Sequence, residues 1–335
     1  MLVSNSGPDA TTRSALRTLM QRLPGLSVMH GAASLEPINS SDPPLLRSAQ
    51  IAEGTTLRAL RVPGVTRQTE SGFGAFLDGT QKVQVIARAG GMPIVLGTVA
   101  AAVRVRLNKR MTTWGHQPPR VERKIYVPVK YLPELGEFVG GVAQSAADLE
   151  LVDTSKADRS GAYPSQHPAV LLERAVRSVD QQRELLEDRL AEAWCARGEA
   201  PLYLDGGISR SATVASSSCA IGVIKSHRTL YVEGDALRIV LALEKGERSS
   251  IFRVAPRSRS SVLSWYLRLR NPEGQDAMFG LVRVEMSECD KPVERAEEIS
   301  RWVLAEGLPL SMPDGRWDKM AYGVRDCEEF LRAIS

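Results

Sequence analysis

Two short stretches of the chain echo each other: Gly74-Ala75-Phe76-Leu77-Asp78-Gly79-Thr80 and Pro201-Leu202-Tyr203-Leu204-Asp205-Gly206-Gly207. Each is an apolar run that ends in Asp-Gly. A run of that length reads as a buried strand, and the glycine predicts a tight turn just past it. Asp78 is therefore expected at a hairpin bend and Asp205 at a second strand end, both pointing out of the sheet. Two such carboxylates side by side offer the hard oxygen ligands that hold divalent ions for phosphodiester cleavage. The competing reading is plain turn chemistry, because Asp-Gly is a common turn dipeptide.

Further candidates follow along the chain. Pro168 to Ala196 has the longest helical stripe, with Pro168 suited to its start and Gly198 to its end. It carries Glu173, Glu184, Glu187, Asp188 and Glu192. Glu187 follows the apolar pair Leu185-Leu186, so it lies near the buried stripe and within reach of a strand end; Glu184 is its rival. Ile221 to Ile224 reads as a strand running into Lys225 and His227. A lysine there suits a scissile phosphate, and His227 suits a proton carrier or a DNA contact. Alternation puts Arg283 and Glu285 on one strand face, either paired with each other or serving the same site. The stretch 251–270 mixes Arg253, Arg257, Arg259, Arg268 and Arg270 with Trp265 and Tyr266, the composition of a single-strand path. Arg104, Arg106, Lys109 and Arg110 near Trp114 form a second basic patch. Arg316 and Asp318 lie in a charged, aromatic segment before the last helix, where Asp318 would add a ligand and Arg316 a phosphate contact.

The elements that must position these residues give an α/β (α+β) plan with a mixed sheet. Thr12 to Leu23 is a helix within an N-terminal segment, residues 1–65. The remainder, 66–335, forms the main domain, with an irregular insertion around 115–167 that holds a strand near Lys124 to Val129. Strands are expected at 83–87, 93–105, 202–204, 220–224, 237–243, 251–254, 262–269 and 279–286, and helices at 290–304 and 325–334.

In order, these pieces resemble the NurA nuclease family: Asp78-Gly79, a long helix with Glu187, Asp205-Gly206, Gly222-Val223-Ile224-Lys225, Arg283-Val284-Glu285, and the aromatic segment 316–322 before a final helix. The resemblance spans roughly residues 70 to 332. It implies a ribonuclease H-like core and a manganese-dependent (or magnesium-dependent) DNA nuclease. It also implies a homodimer working with a HerA-type hexameric ATPase in DNA end processing or defence against phage. By that match Asp78, Glu187 and Asp205 are the metal carboxylates; the reading of the residues adds Lys225 and Glu285 to the catalytic set and expects Arg257, Arg259, Arg283, Arg316 and His227 to meet DNA. The late family ligand is often a histidine; no histidine follows His227 here, and Asp318 is the substitute.

Composition bounds the alternatives. With 335 residues, 43% apolar, the chain supports a sizeable core, and a net charge of +4 is only a mild basic tilt. Four cysteines without CxxC spacing read as incidental thiols and argue against zinc. No run reaches the roughly 20 apolar residues of a membrane span. No charged start with an apolar stretch marks a signal peptide, so the expected location is the cytoplasm. No GxxxxGK[ST] loop or GxSxG elbow is present. A ribonuclease H-like module that binds DNA or an ATPase without cutting remains the alternative. A guide-using Argonaute relative would need further domains for which this length leaves little room.

Overall fold

The computed structural model describes residues 10–23, 26–28, 45–66, 69–108, 110–115, 120–138, 149–158, 160–198, 200–255, 259–272, 275–307 and 319–334. Arg257, Arg316 and Asp318, together with Lys109, lie outside the described residues.

The chain is a mixed α/β structure around one large sheet. Strand β1 (Ala75–Ala89) and strand β2 (Met92–Leu107) form a long antiparallel hairpin. Its bend is Gly90-Gly91, both at positive φ, as a two-residue hairpin turn demands. Asp78-Gly79 is therefore not a bend. It lies inside β1, opposite Ala102 and Ala101. Strand β3 (Arg120–Val127) continues the meander along β2, and β4 (Glu150–Asp153) adds to it in parallel. The strand expected inside an insertion thus belongs to the main sheet.

Helix α1 (Pro168–Arg197) then crosses the sheet. His167 Nδ1 caps it by accepting the Ala169 N–H at 3.2 Å. Strand β5 (Leu202–Asp205) returns parallel to β1, and β6 (Ala220–Ile224) lies parallel to β5. Beyond β6 the sheet is antiparallel: β9 (Leu281–Met286), β8 (Val262–Arg268) and β7 (Phe252–Val254) follow in that spatial order. The N-terminal segment joins this end, with Gln50–Ile51 pairing β7 and Ala59–Arg61 pairing Glu247–Ser249. Residues 237–243, expected as a strand, fall mostly in the short helix Gly234–Leu241. Two helices close the chain, α2 (Pro292–Glu306) and α3 (Tyr322–Ile334).

Alternation along the strands sorts the core into two sides. Leu77 and Leu204 pack with Trp194 of α1 on one side. Phe76, Tyr203 and Val223 pack with Ile299 and Val303 of α2 and Val324 of α3 on the other. Each fully buried Leu, Val or Phe there stabilises by about 1.5–3 kcal/mol. Among the described residues no helix is long and apolar enough to cross a membrane.

Candidate active site

The site is built where β5 ends beside the first residues of the parallel strand β1. Leu77 of β1 stands opposite Leu204 of β5, so Asp78 and Asp205 come next on neighbouring strands. Such strands lie about 4.8 Å apart. Period two puts both acids on the side of Phe76 and Tyr203. Lys225 follows β6, two residues beyond Val223, which is paired with Asp205. Its ammonium donates to Asp205 Oδ2 at 2.8 Å. A cleft of about 400 Å³ opens over these groups, walled by Asp78, Asp205, Lys225, Arg183 of α1, and Glu328 and Arg332 of α3.

Asp78 is the strained member electrostatically. It is buried, at 7% exposure, and accepts a hydrogen bond from the Gly79 N–H at 2.8 Å. Burial, then the Asp205 and Glu187 charges, push its carboxyl well above the usual range, against the pull of Lys225. Burial alone would lower the Lys225 ammonium, but Asp205 and Asp78 outweigh that and hold it above its usual value.

Glu187 is packed against this pair across the backbone of Gly79. A Cβ added at Gly79 would sit 2.3 Å from Glu187 Oε1, so the glycine serves this close approach rather than a turn. Glu187 accepts from Arg183 and lies 3.5 Å from Arg210 Nη2. Burial raises its carboxyl despite both arginines. Arg183 also reaches Asp180 at 2.7 Å and Gln81 at 3.1 Å. Glu184, the rival candidate, pairs with Arg210 at 3.0 Å.

Other expected residues lie elsewhere. Glu285 is buried behind the turn after β5: Oε1 accepts from Arg283 Nη1 at 2.5 Å and Oε2 from the Ile208 N–H at 2.9 Å. It holds the turn that follows Asp205 and does not line the cleft. Arg283 is likewise buried, bonded to Ser264 Oγ at 3.2 Å and stacked 4.8 Å from the Tyr231 ring, so it is not a surface for DNA. His227 donates from Nε2 to the Leu281 carbonyl at 2.7 Å. Burial first, then Lys319 and Arg283, push it down to about 4, which leaves a neutral imidazole rather than a proton carrier or DNA contact. Trp265 and Tyr266 are fully buried, and the Arg268 guanidinium donates to the carbonyls of Leu241, Leu243, Ala277 and Phe279. These groups are core, so, among the described residues, 262–269 do not form a single-strand path. Arg259 is exposed, beside Ser260, whose N–H bonds the Ser209 carbonyl. In the second basic patch, Arg104 and Arg106 pair with Asp326 and Glu306, both at 2.6 Å.

Sequence reasoning missed Arg183, Glu328 and Arg332. The spacing Arg183 to Glu187 is an i,i+4 pair, and that signal was readable; nothing in the sequence ties α3 to the site. No protein-family model matches the chain, and no curated protein matches it either.

The donor set suits a hard divalent ion. Asp78, Asp205 and Glu187 offer only carboxylate oxygen, the ligand type of magnesium and manganese, and the raised Asp78 carboxyl marks a spot short of positive charge. Among the described residues no three acidic, His or Cys side chains already stand in a ligand cage, and Glu187 is paired with Arg183 and Arg210.

Proposed function

We propose that this chain is a metal-dependent deoxyribonuclease that hydrolyses phosphodiester bonds in the cleft over Asp78 and Asp205. One observation carries the reading: two level carboxylates on adjacent parallel strands, one of them buried and pushed up by the other, with a lysine on the second. The spatial order β3-β2-β1-β5-β6, an antiparallel meander followed after a helix by two parallel strands, supports a ribonuclease H-like core and with it the NurA resemblance.

Asp78, Asp205 and Glu187 would hold manganese or magnesium. A divalent ion bound there supplies Lewis-acid activation of water and neutralises charge on the leaving oxygen. The protein's own cations do the rest. Lys225 is fixed by Asp205 and presents positive charge at the cleft floor, where it steadies the scissile phosphate. Arg183 and Arg332 on the walls meet the flanking backbone. A phosphate entering beside Arg183 competes with Glu187 for the guanidinium, which releases Glu187 toward the acid pair. The resemblance extends the proposal to a homodimer that works with a HerA-type hexameric ATPase in DNA end processing or phage defence. Copurification with that ATPase tests the extension.

The arginine pairing of Glu187 favours a second reading, a module that binds DNA or the ATPase without cutting. Incubation of linear and circular DNA with manganese, with and without a chelator, separates the two. Degradation that the chelator abolishes is expected; DNA left intact in manganese, with the ATPase present or absent, would leave the binding module.

A further inference from the structure

A second constellation lies at the far end of α1, away from the cleft. Cys195 is in the last turn of α1, and Cys219 immediately precedes β6. The two sulfurs stand 3.8 Å apart although 24 residues separate them in sequence. Ser217 Oγ lies 3.2 Å from the Cys219 sulfur. Both cysteines are half-buried, whereas Cys289 is exposed and Cys327 is buried. Two thiols that touch across separate elements, with solvent reaching each, differ from incidental core cysteines. A disulfide holds its sulfurs about 2 Å apart, so this pair at 3.8 Å stands short of that bond.

We propose that Cys195 and Cys219 are a site of reversible disulfide formation that staples the end of α1 to the start of β6. The oxidant is a low-molecular-weight disulfide such as oxidised glutathione. The Cys219 thiolate attacks one sulfur of that disulfide, forming a mixed disulfide and expelling one thiolate. The Cys195 thiol then loses its proton to solvent and attacks the Cys219 sulfur, expelling the second thiolate. The protein dithiol is oxidised by two electrons and the small disulfide is reduced to two thiols. The order of attack follows from the surroundings. Hydrogen bonding with Cys195 and Ser217 holds the Cys219 thiol below its usual range, while the same contact and burial push Cys195 up. A thiolate is the attacking species in such exchange. The staple joins the helix that carries Glu187 to the strand that leads into Lys225, so it closes a loop across the back of the cleft. It does not depend on the nuclease reading.

The test uses the full chain, reduced and then exposed to oxidised glutathione, with remaining thiols blocked under denaturing conditions and the protein digested without reductant. The expected products are peptides 195 and 219 joined within one molecule, free of glutathione, and a loss of two hydrogen masses beyond any adduct at Cys289. The melting temperature rises, because the cross-link restricts the unfolded chain. In Cys195→Ser the reaction stops after the first step, and Cys219 keeps a glutathione adduct. Full alkylation of both cysteines, a separate glutathione on each, or a link only between two molecules would overturn the proposal.

Discussion

Asp78 concentrates the site's electrostatic cost. Its carboxyl is pushed up by burial and by Asp205 and Glu187. A raised acid contributes stability that is complete below the unfolded value of about 4 and is lost as pH rises through the folded value. Asp78→Asn removes that loss. Without metal, the variant should melt higher than the parent, by a margin that grows over the pH range above about 4. Thermal melts across that range check this, and a constant margin would mean that charge is not the cause. Manganese should reverse the ranking by raising the melting temperature of the parent alone, since binding to the folded state stabilises by mass action. Lys225 matters for the same reason. Its ammonium is ion-paired with Asp205, and Lys225→Met should cost roughly 1–3 kcal/mol by leaving the partner charge unpaired, read by urea denaturation.

At the scale of elements, the backbone at Gly79 decides how closely α1 approaches β1. Gly79→Ala would press a methyl against Glu187, costing roughly 1–3 kcal/mol. Glu187→Ala should cancel most of that cost, so the double variant departs from additivity by about 1 kcal/mol or more. A double-mutant cycle in urea measures it; additive losses would show that the two do not touch. The turn after β5 depends likewise on Glu285. Glu285→Ala strands the Arg283 guanidinium and the Ile208 N–H, with an expected loss of about 3–5 kcal/mol. Much of this architecture was legible. Apolar runs marked β1, β5, β6, β8 and β9, and the stripe from Leu171 to Trp194 marked α1 with its Pro168 and Gly198 limits. The bend was misplaced because Asp-Gly is a turn dipeptide in most settings, whereas Gly79 is set by a residue more than 100 positions away. The stretch 237–243 was misread because a short apolar run does not distinguish helix from strand. Arg268, Arg283 and His227 were misread because charge suggests surface, and only the folded chain shows that their partners are buried carbonyls and Glu285.

For the whole molecule, the two sides of the sheet divide the labour. α1 delivers Glu187 and Arg183, while α3 closes the opposite side and supplies the outer wall with Glu328 and Arg332. α3 also seats Val324, Cys327 and Leu331, each fully buried. Its removal, a chain ending at residue 321, should therefore forfeit about 5 kcal/mol or more, comparable with the entire stability of a domain. The expected observation is loss of a cooperative melt. That helix was read from sequence, but its place at the cleft was not, because helix spacing reports which face is apolar and not where that face docks. The mild net charge of +4 also gave no map of the cations, several of which are spent on ion pairs within the fold, as at Arg104, Arg106 and Arg253. The central claim is that Asp78 and Asp205 together carry the chemistry. The most direct measurement is the initial rate of DNA hydrolysis in manganese by Asp78→Ala and Asp205→Ala, each first shown to melt cooperatively. The account predicts that each variant loses at least about 100-fold against the parent chain; hydrolysis by either folded variant at the parental rate would contradict it.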